Sequence, residues 1–224
     1  MLRTITKLVC ACVFALFMTG ASLAEETVDV ALVLAVDESG SISEYSWMLQ
    51  TRGYADAFRD GRVLKAIMSG PNQRIAVTMM YWSGPVQQRI AVPWTVIHDQ
   101  KSANDLADEI MRIQRVFWGG TAVGAAIQYA TRLLADMPFQ AVRRVIDISG
   151  DGANNKGPAS SKMRDEALQQ GITINGLPII WADAGVYSHY RTEVIGGPGA
   201  FLIAASSFED FAEAIRNKLI LEIS

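Results

Sequence analysis

The run VALVLAVDESGS, Val30 to Ser41, joins a stretch of apolar residues to a knot of small oxygen-bearing side chains. The apolar part reaches back to Val28, interrupted only by Asp29. A near-continuous apolar, β-branched stretch of this length reads as a central strand covered on both faces. At its end, Asp37, Ser39 and Ser41 fall within five residues around Gly40. That cluster reads either as the start of the next helix or as one part of a metal site whose other ligands lie far along the chain.

Working outward, apolar strand-like runs alternate with amphipathic helical ones. Glu44 to Arg59 carries a helical stripe of Trp47, Met48, Leu49, Tyr54, Ala55 and Phe58. Arg74 to Trp82 and Val86 to Val92 are strands separated by Ser83-Gly84-Pro85, which predicts a hairpin with the second strand antiparallel at a sheet edge. Ala103 to Gln114 and Ala122 to Leu134 read as helices, the second with Val123, Ile127, Ala130 and Leu134 on one face. Val142 to Ile148 is a strand, Ser161 to Gln170 a helix stopped at Gly171, and Ile172 to Ile180 a strand made irregular by Gly176 and Pro178. A short helix is expected around Tyr187 to Val194, a last short strand at Phe201 to Ala204, and a closing helix marked by Phe208, Phe211, Ile215 and Leu219. This alternation implies an α/β fold: a doubly wound, mainly parallel, Rossmann-like sheet with one antiparallel edge strand and helices on both faces.

The composition sets bounds on partners and compartment. Half of the 224 residues are hydrophobic and 19% are charged, as in a globular chain, and the formal net charge is -3. No block of Lys and Arg stands out, which argues against a nucleic-acid partner. Residues 1–24 read as an export signal. Arg3 and Lys7 lead an apolar core from Leu8 to Phe17, and Ser22-Leu23-Ala24 offers small residues for cleavage before Glu25. The alternative is an N-terminal anchor, but the apolar run is short for a span. Residues 25–224 then form one domain without a membrane span, periplasmic or secreted. Both cysteines, Cys10 and Cys12, lie in the leader, so the mature chain has no disulfide and no thiolate chemistry.

Three segments rich in oxygen donors fall at strand ends or just before helices. They are Asp37-Glu38-Ser39-Gly40-Ser41, Trp118-Gly119-Gly120-Thr121, and Ser149-Gly150-Asp151-Gly152. Ligands of doubly wound sheets bind at the carboxyl ends of the strands. Neutral hydroxyls mixed with carboxylates suit a hard divalent cation such as Mg²⁺ or Mn²⁺. Each segment also has a plain reading. Ser41-Ile42-Ser43-Glu44 matches a capping box, Gly119-Gly120-Thr121 a turn and N-cap, and Asp151-Gly152 a turn. Taken together, Asp37, Ser39, Ser41, Thr121 and Asp151 point to metal.

This set resembles the metal-ion-dependent adhesion site of von Willebrand factor type A (VWA) domains, and the resemblance runs from about Val28 to the closing helix. More narrowly, the chain resembles a group of exported bacterial proteins of this type whose function is uncharacterised. The resemblance implies that Ser39 and Ser41 ligate the ion directly and that Asp37 acts through water or through the serines. It implies that Thr121 and Asp151 exchange direct and water-mediated contact between two states. It further implies that the open position takes an Asp or Glu carboxylate of a protein partner. Three departures stand out. Val123 occupies a position where many members carry a second Thr, Ser149-Gly150 stands where a Thr before the Asp is common, and Glu38 lies between two site residues. By strand alternation Glu38 points away from the site.

The sequence carries no Ser-His-Asp set, nucleophile elbow or cysteine nucleophile, so the expected role is a binding module and not an enzyme. The rival is a metal-dependent, phosphatase-like hydrolase using the same ion as a Lewis acid, for which Lys156 is the only nearby cationic clamp. Trp118 reads equally as a recognition residue or a core residue. Asn154, Asn155 and Lys156 read as a solvated loop, Asp183 as a surface loop residue, and His98 and His189 lack ligand-spaced partners.

Overall fold

The structure is a computed structural model that describes residues 27–181 and 183–224. The expected leader, residues 1–24, and its cleavage point lie outside the described residues.

The opening strand, β1 (Thr27–Asp37), is buried from Val28 onward. Its side chains alternate between two cores: Val30, Leu32, Leu34 and Val36 enter one, and Ala31, Val33 and Ala35 the other. Such period-two alternation in an all-apolar strand puts it at the centre of a sheet covered on both sides. The chain continues through α1 (Glu44–Arg59), α2 (Gly61–Ser69), β2 (Ile75–Trp82), β3 (Gln88–Ile97), α3 (Gln100–Ile110), α4 (Val123–Ala135), β4 (Gln140–Gly150), α5 (Ser160–Gln169), β5 (Ile172–Pro178), α6 (Gly185–His189) and α7 (Phe211–Ile223). A π-helical turn, Tyr190–Val194, extends α6.

The sheet order is β3-β2-β1-β4-β5. All pairs are parallel except β2–β3, which is antiparallel at the edge, as the short link of residues 83–87 requires. The larger residues of β1 pack with Tyr54 and Phe58 of α1, Ile67 of α2, Leu106 of α3 and Phe211, Ile215 and Leu219 of α7. Its alanines face Val123, Ile127 and Ala130 of α4, where small side chains let the helix approach closely. No helix among the described residues is long and apolar enough to cross a membrane.

Several local expectations are corrected. α2 adds a helix, because Asp60 both ends α1 and caps α2, its side chain accepting the N–H of Arg62 at 2.8 Å. β3 starts at Gln88, leaving Val86 in the turn, 92% exposed, and it runs on to Ile97. Pro93 is tolerated there because the strand is at the edge. Phe201 to Ala204 forms no strand. Only single bridges join Gly176 to Leu202 and Ile179 to Ala205, since Pro178 between them has no N–H to extend a ladder.

The order of strands places β1 beside β4, where the chain has left on one side to form β2 and returned on the other. Val36 pairs with Ser149, so the residues following each strand emerge together at the carboxyl edge. This is the topological switch point of the sheet.

Candidate metal centre

The segment after β1 folds back on itself. Asp37 Oδ1 accepts the Ser39 N–H at 2.7 Å, and Ser39 Oγ lies 3.2 Å from Ser41 Oγ. Ser41 Oγ in turn donates to Asp151 Oδ1 at 2.8 Å, across 110 residues of sequence. Thr121 joins from the loop before α4. A Cβ built on Gly152 would sit 3.2 Å from Thr121 Oγ1, so that hydroxyl lies against the residue next to Asp151. The five expected residues are therefore brought together. Burial grades across them, from Asp37 at 0% exposure through Ser39, Thr121 and Asp151 to an exposed Ser41, so the cluster opens to solvent on the Ser41 side.

The capping readings of Ser41 and Thr121 fail, while the chain does bend at Asp151-Gly152. Ser43, not Ser41, is the N-cap of α1, accepting the Ser46 N–H at 3.0 Å, so the Ser41 capping box does not form. α4 begins at an N-cap of Ala122 with no side-chain cap, and the Thr121 hydroxyl is left free of that task. Val123, the departure from the usual second Thr, is wholly buried in the α4 core and takes no part.

The electrostatics of the cluster suit a positive charge. Asp37 Oδ2 is buried and has no hydrogen-bond partner among the described residues. Burial first, and the neighbouring Asp151 second, push the Asp37 carboxyl up to about 8. Burial likewise raises Asp151, against the Ser41 hydrogen bond. Two carboxylates facing each other in a buried cluster are stable as anions only with a positive charge between them. Hard oxygen donors of this kind fit a divalent cation, and no group of three or more His, Cys, Asp and Glu side chains among the described residues offers a rival site.

Gly150 explains the missing Thr before Asp151. A Cβ there would lie 2.7 Å from Asp37 Oδ2 and 2.9 Å from the Tyr190 hydroxyl. Any side chain at 150 displaces Asp37, so glycine is required by the close approach of β1's last carboxylate. Tyr190 itself has a buried hydroxyl without a partner among the described residues, and Ser149 is hydrogen-bonded to Tyr54 at 3.1 Å.

The loops that carry the donors are held by residues the sequence shows only as polar punctuation. Glu38 does point away from the cluster. It is wholly buried, accepts the N–H groups of Val116 at 3.2 Å and Phe117 at 3.1 Å, and lies 3.8 Å from Arg89. Ser83 Oγ accepts the Gly119 N–H at 2.8 Å. Asn154 and Asn155 are not a free solvated loop: Asn155 Oδ1 accepts the Thr121 N–H at 3.0 Å, and Asn154 Oδ1 accepts that of Gly124 at 3.1 Å. Two asparagines three and four residues after Asp151 were the available signal, since their acceptors reach the otherwise unpaired N–H groups at a helix start. Asp183 is exposed and accepts the Gly185 N–H at 2.7 Å, a turn role.

His189 completes this support. Its Nε2 accepts the Asn154 N–H at 3.2 Å, so that nitrogen is unprotonated in the folded state. Burial holds the imidazole below its ordinary pKa, with Glu193 pulling weakly upward. An unfolded chain thus takes up a proton near pH 6.5 that the folded one refuses, and stability falls as pH drops below that value. Melting curves from pH 7.5 to 5 should show wild type losing ground to His189→Gln, whose amide oxygen keeps the acceptor without titrating. Parallel pH profiles for the two would remove this role for His189.

A mainly parallel sheet carrying hydroxyls and carboxylates at its switch point defines a class, and comparison with solved structures agrees. Proximal thread matrix protein 1 from the mussel byssus, in a form with a zinc-occupied MIDAS motif, superposes with a TM-score of 0.62 at 14% identity, over 88% of this chain and 46% of that one. A von Willebrand factor type A structure from Catenulispora acidiphila gives 0.61 at 15% identity, over 88% and 43%. The vWF domain of the type V pili tip protein Mfa5 from Porphyromonas gingivalis gives 0.60 at 10% identity, over 88% and 97%. The fold is that of von Willebrand factor type A domains, and the chain spans less than half the length of the first two of these structures. Residues 27–224 match the family described as protein of unknown function (DUF1194), and the chain belongs to that family. No curated protein matches it in sequence.

Proposed function

We propose that this chain is an exported binding module that holds a divalent cation, Mg²⁺ or Mn²⁺, and through it takes an Asp or Glu carboxylate of a protein partner. The observation that carries the reading is the chain of contacts from Asp37 through Ser39 and Ser41 to Asp151, with a buried carboxylate oxygen that has no partner among the described residues. Ser39, Ser41 and Thr121 supply neutral oxygens; Asp37 and Asp151 supply charge. When bound, the ion supplies a Lewis-acidic centre for an incoming carboxylate. A donor set weighted toward hydroxyls leaves much of the ion's charge uncompensated, which favours an external anion. Asp151 is the residue placed to compete with that anion, because it reaches the exposed Ser41 side. The neighbours named for a byssus matrix and a pilus tip support an adhesive, extracytoplasmic role, with residues 1–24 as the export signal.

Calorimetric titration with Mg²⁺, Mn²⁺ and Zn²⁺ tests the site. One-site binding in wild type is expected, with at least a tenfold loss in Ser39→Ala/Ser41→Ala, which removes one buried and one exposed hydroxyl. Equal heats from both proteins would exclude these serines as ligands, and no heat from wild type would exclude the site.

A further inference from the structure

All four exposed aromatic side chains among the described residues stand on segments that leave the carboxyl edge of the sheet. They are Tyr45, Trp118, Trp181 and Tyr187, at 58%, 59%, 66% and 40% exposure. Tyr45 is in the first turn of α1, directly after Ser41, and Trp118 lies three residues before Thr121. Trp181 and Tyr187 follow β5, on the segment whose His189 holds the Asp151 loop. Val86 and Val116, also exposed, extend the same edge. Exposed apolar side chains scattered singly need no explanation, but aromatics gathered at one end around a candidate ligand site do.

Trp118 is exposed and also fixed. Its ring stacks on the Arg115 guanidinium at 5.1 Å. The Arg115 side chain is only 3% exposed and donates to the Ser39 carbonyl at 2.9 Å and the Phe117 carbonyl at 3.3 Å, with Glu44 at 3.3 Å. The same turn is clamped from below by Glu38, and Gly40 lets it lie close: a Cβ there would meet the Trp118 carbonyl oxygen at 2.9 Å. One arginine therefore ties the indole to the backbone of a candidate ligand, Ser39. A ring held in place before binding loses little freedom on contact, which is the property of residues that dominate interface energy.

Charge narrows the partner. The acidic and basic side chains beside Trp118 already neutralise each other, Glu44 with Arg115 and Glu38 with Arg89. Lys156, packed over Gly120, makes no ion pair among the described residues. Beyond one carboxylate on the ion and a second within reach of Lys156, a run of acidic residues would meet indole and phenol rings rather than cations. Resting on the metal-dependent reading above, we infer that the partner presents a single Asp or Glu set among apolar residues, with Trp118 as the fixed contact that reads those flanks. The partner is an apolar protein segment with one acid, not a polyacidic one.

The test is selection of a twelve-residue phage-displayed peptide library on the full protein in Mg²⁺, with elution by EDTA. The expected peptides carry one Asp or Glu flanked by aliphatic, aromatic or proline residues. Their affinity, measured by fluorescence polarisation on synthetic copies, falls about tenfold or more with Trp118→Ala and less with Trp118→Phe. Mg²⁺ titration of Trp118→Ala stays as in wild type, which also reports that the variant is folded. Acidic runs, Gly/Ser flanks, affinity indifferent to Trp118→Ala, or no EDTA-released peptide at all would each overturn the inference while leaving the metal site standing. Loss of Mg²⁺ binding in wild type would instead overturn the reading beneath it.

Discussion

Asp37→Asn should raise the melting temperature of the metal-free protein and abolish the rise that Mg²⁺ gives to wild type. The two signs come from one residue. Asp37 is wholly buried; Oδ1 accepts the Ser39 N–H, and Oδ2 has no hydrogen-bond partner among the described residues. Burial and Asp151 push its carboxyl up to about 8, so its contribution to stability is intact at pH below about 3.8 and is lost as pH rises through about 8. An amide keeps the Oδ1 acceptor and carries no charge. Its N–H₂ would also take the place of Oδ2 beside Gly150, on the side where the Tyr190 hydroxyl lies without a partner among the described residues. In wild type, a cation at 100 times its Kd adds about 2.7 kcal/mol, or about 5–10 °C in Tm for a domain of this size. Differential scanning in EDTA and in Mg²⁺ at pH 7.5 reads both effects. A Mg²⁺ shift of equal size in Asp37→Asn would remove Asp37 from the site.

Lys218→Met should cost about 3–5 kcal/mol, the loss expected when one partner of a buried ion cluster is removed. Lys218 is wholly buried on α7, with Nζ at 2.7 Å from Asp147 on β4 and 2.5 Å from Glu222. Asn175 of β5 donates to the same Glu222 oxygen at 3.0 Å, so the cluster fastens α7 across two strands. Burial first and Asp147 second raise the Glu222 carboxyl, against the pull of Lys218. Its stability contribution is therefore complete in acid and is lost as pH rises through the raised folded value. The variant's deficit should shrink on acidification, as the orphaned Glu222 carboxyl takes a proton. Adding Glu222→Gln should restore part of the loss by removing that carboxyl. The expected fall in Tm is about 6–20 °C, and a fall of less than a few degrees at pH 8 would show that the cluster is relaxed by water.

The fold was legible because its strongest signal is local. Val28 to Val36 is apolar at nearly every position, and a strand of that kind has one stable place, in the middle of a covered sheet. The hairpin followed from the short Ser83-Gly84-Pro85 turn signal, although the link itself runs over residues 83–87. α2 was less legible, because Asp60-Gly61 looks like an ending and serves as one before it starts the next helix. The short strand at Phe201 to Ala204 had the right residues, and backbone pairing failed at Pro178.

For the site, residue type and spacing singled out Asp37, Ser39, Ser41, Thr121 and Asp151, because small oxygen donors beside glycines at strand ends are a local pattern. What only the tertiary structure decided is how each is held. Ser43 rather than Ser41 caps α1, freeing Ser41 for Asp151. Gly150 is required by a carboxylate 113 residues earlier in the chain, and Glu38, Arg115, Asn155 and His189 act through partners 34 to 79 residues away. Hydrogen bonds and close approaches of that kind depend on which strand ends come side by side. That adjacency is set by the packing of two cores on β1, and no local pattern of residues records it.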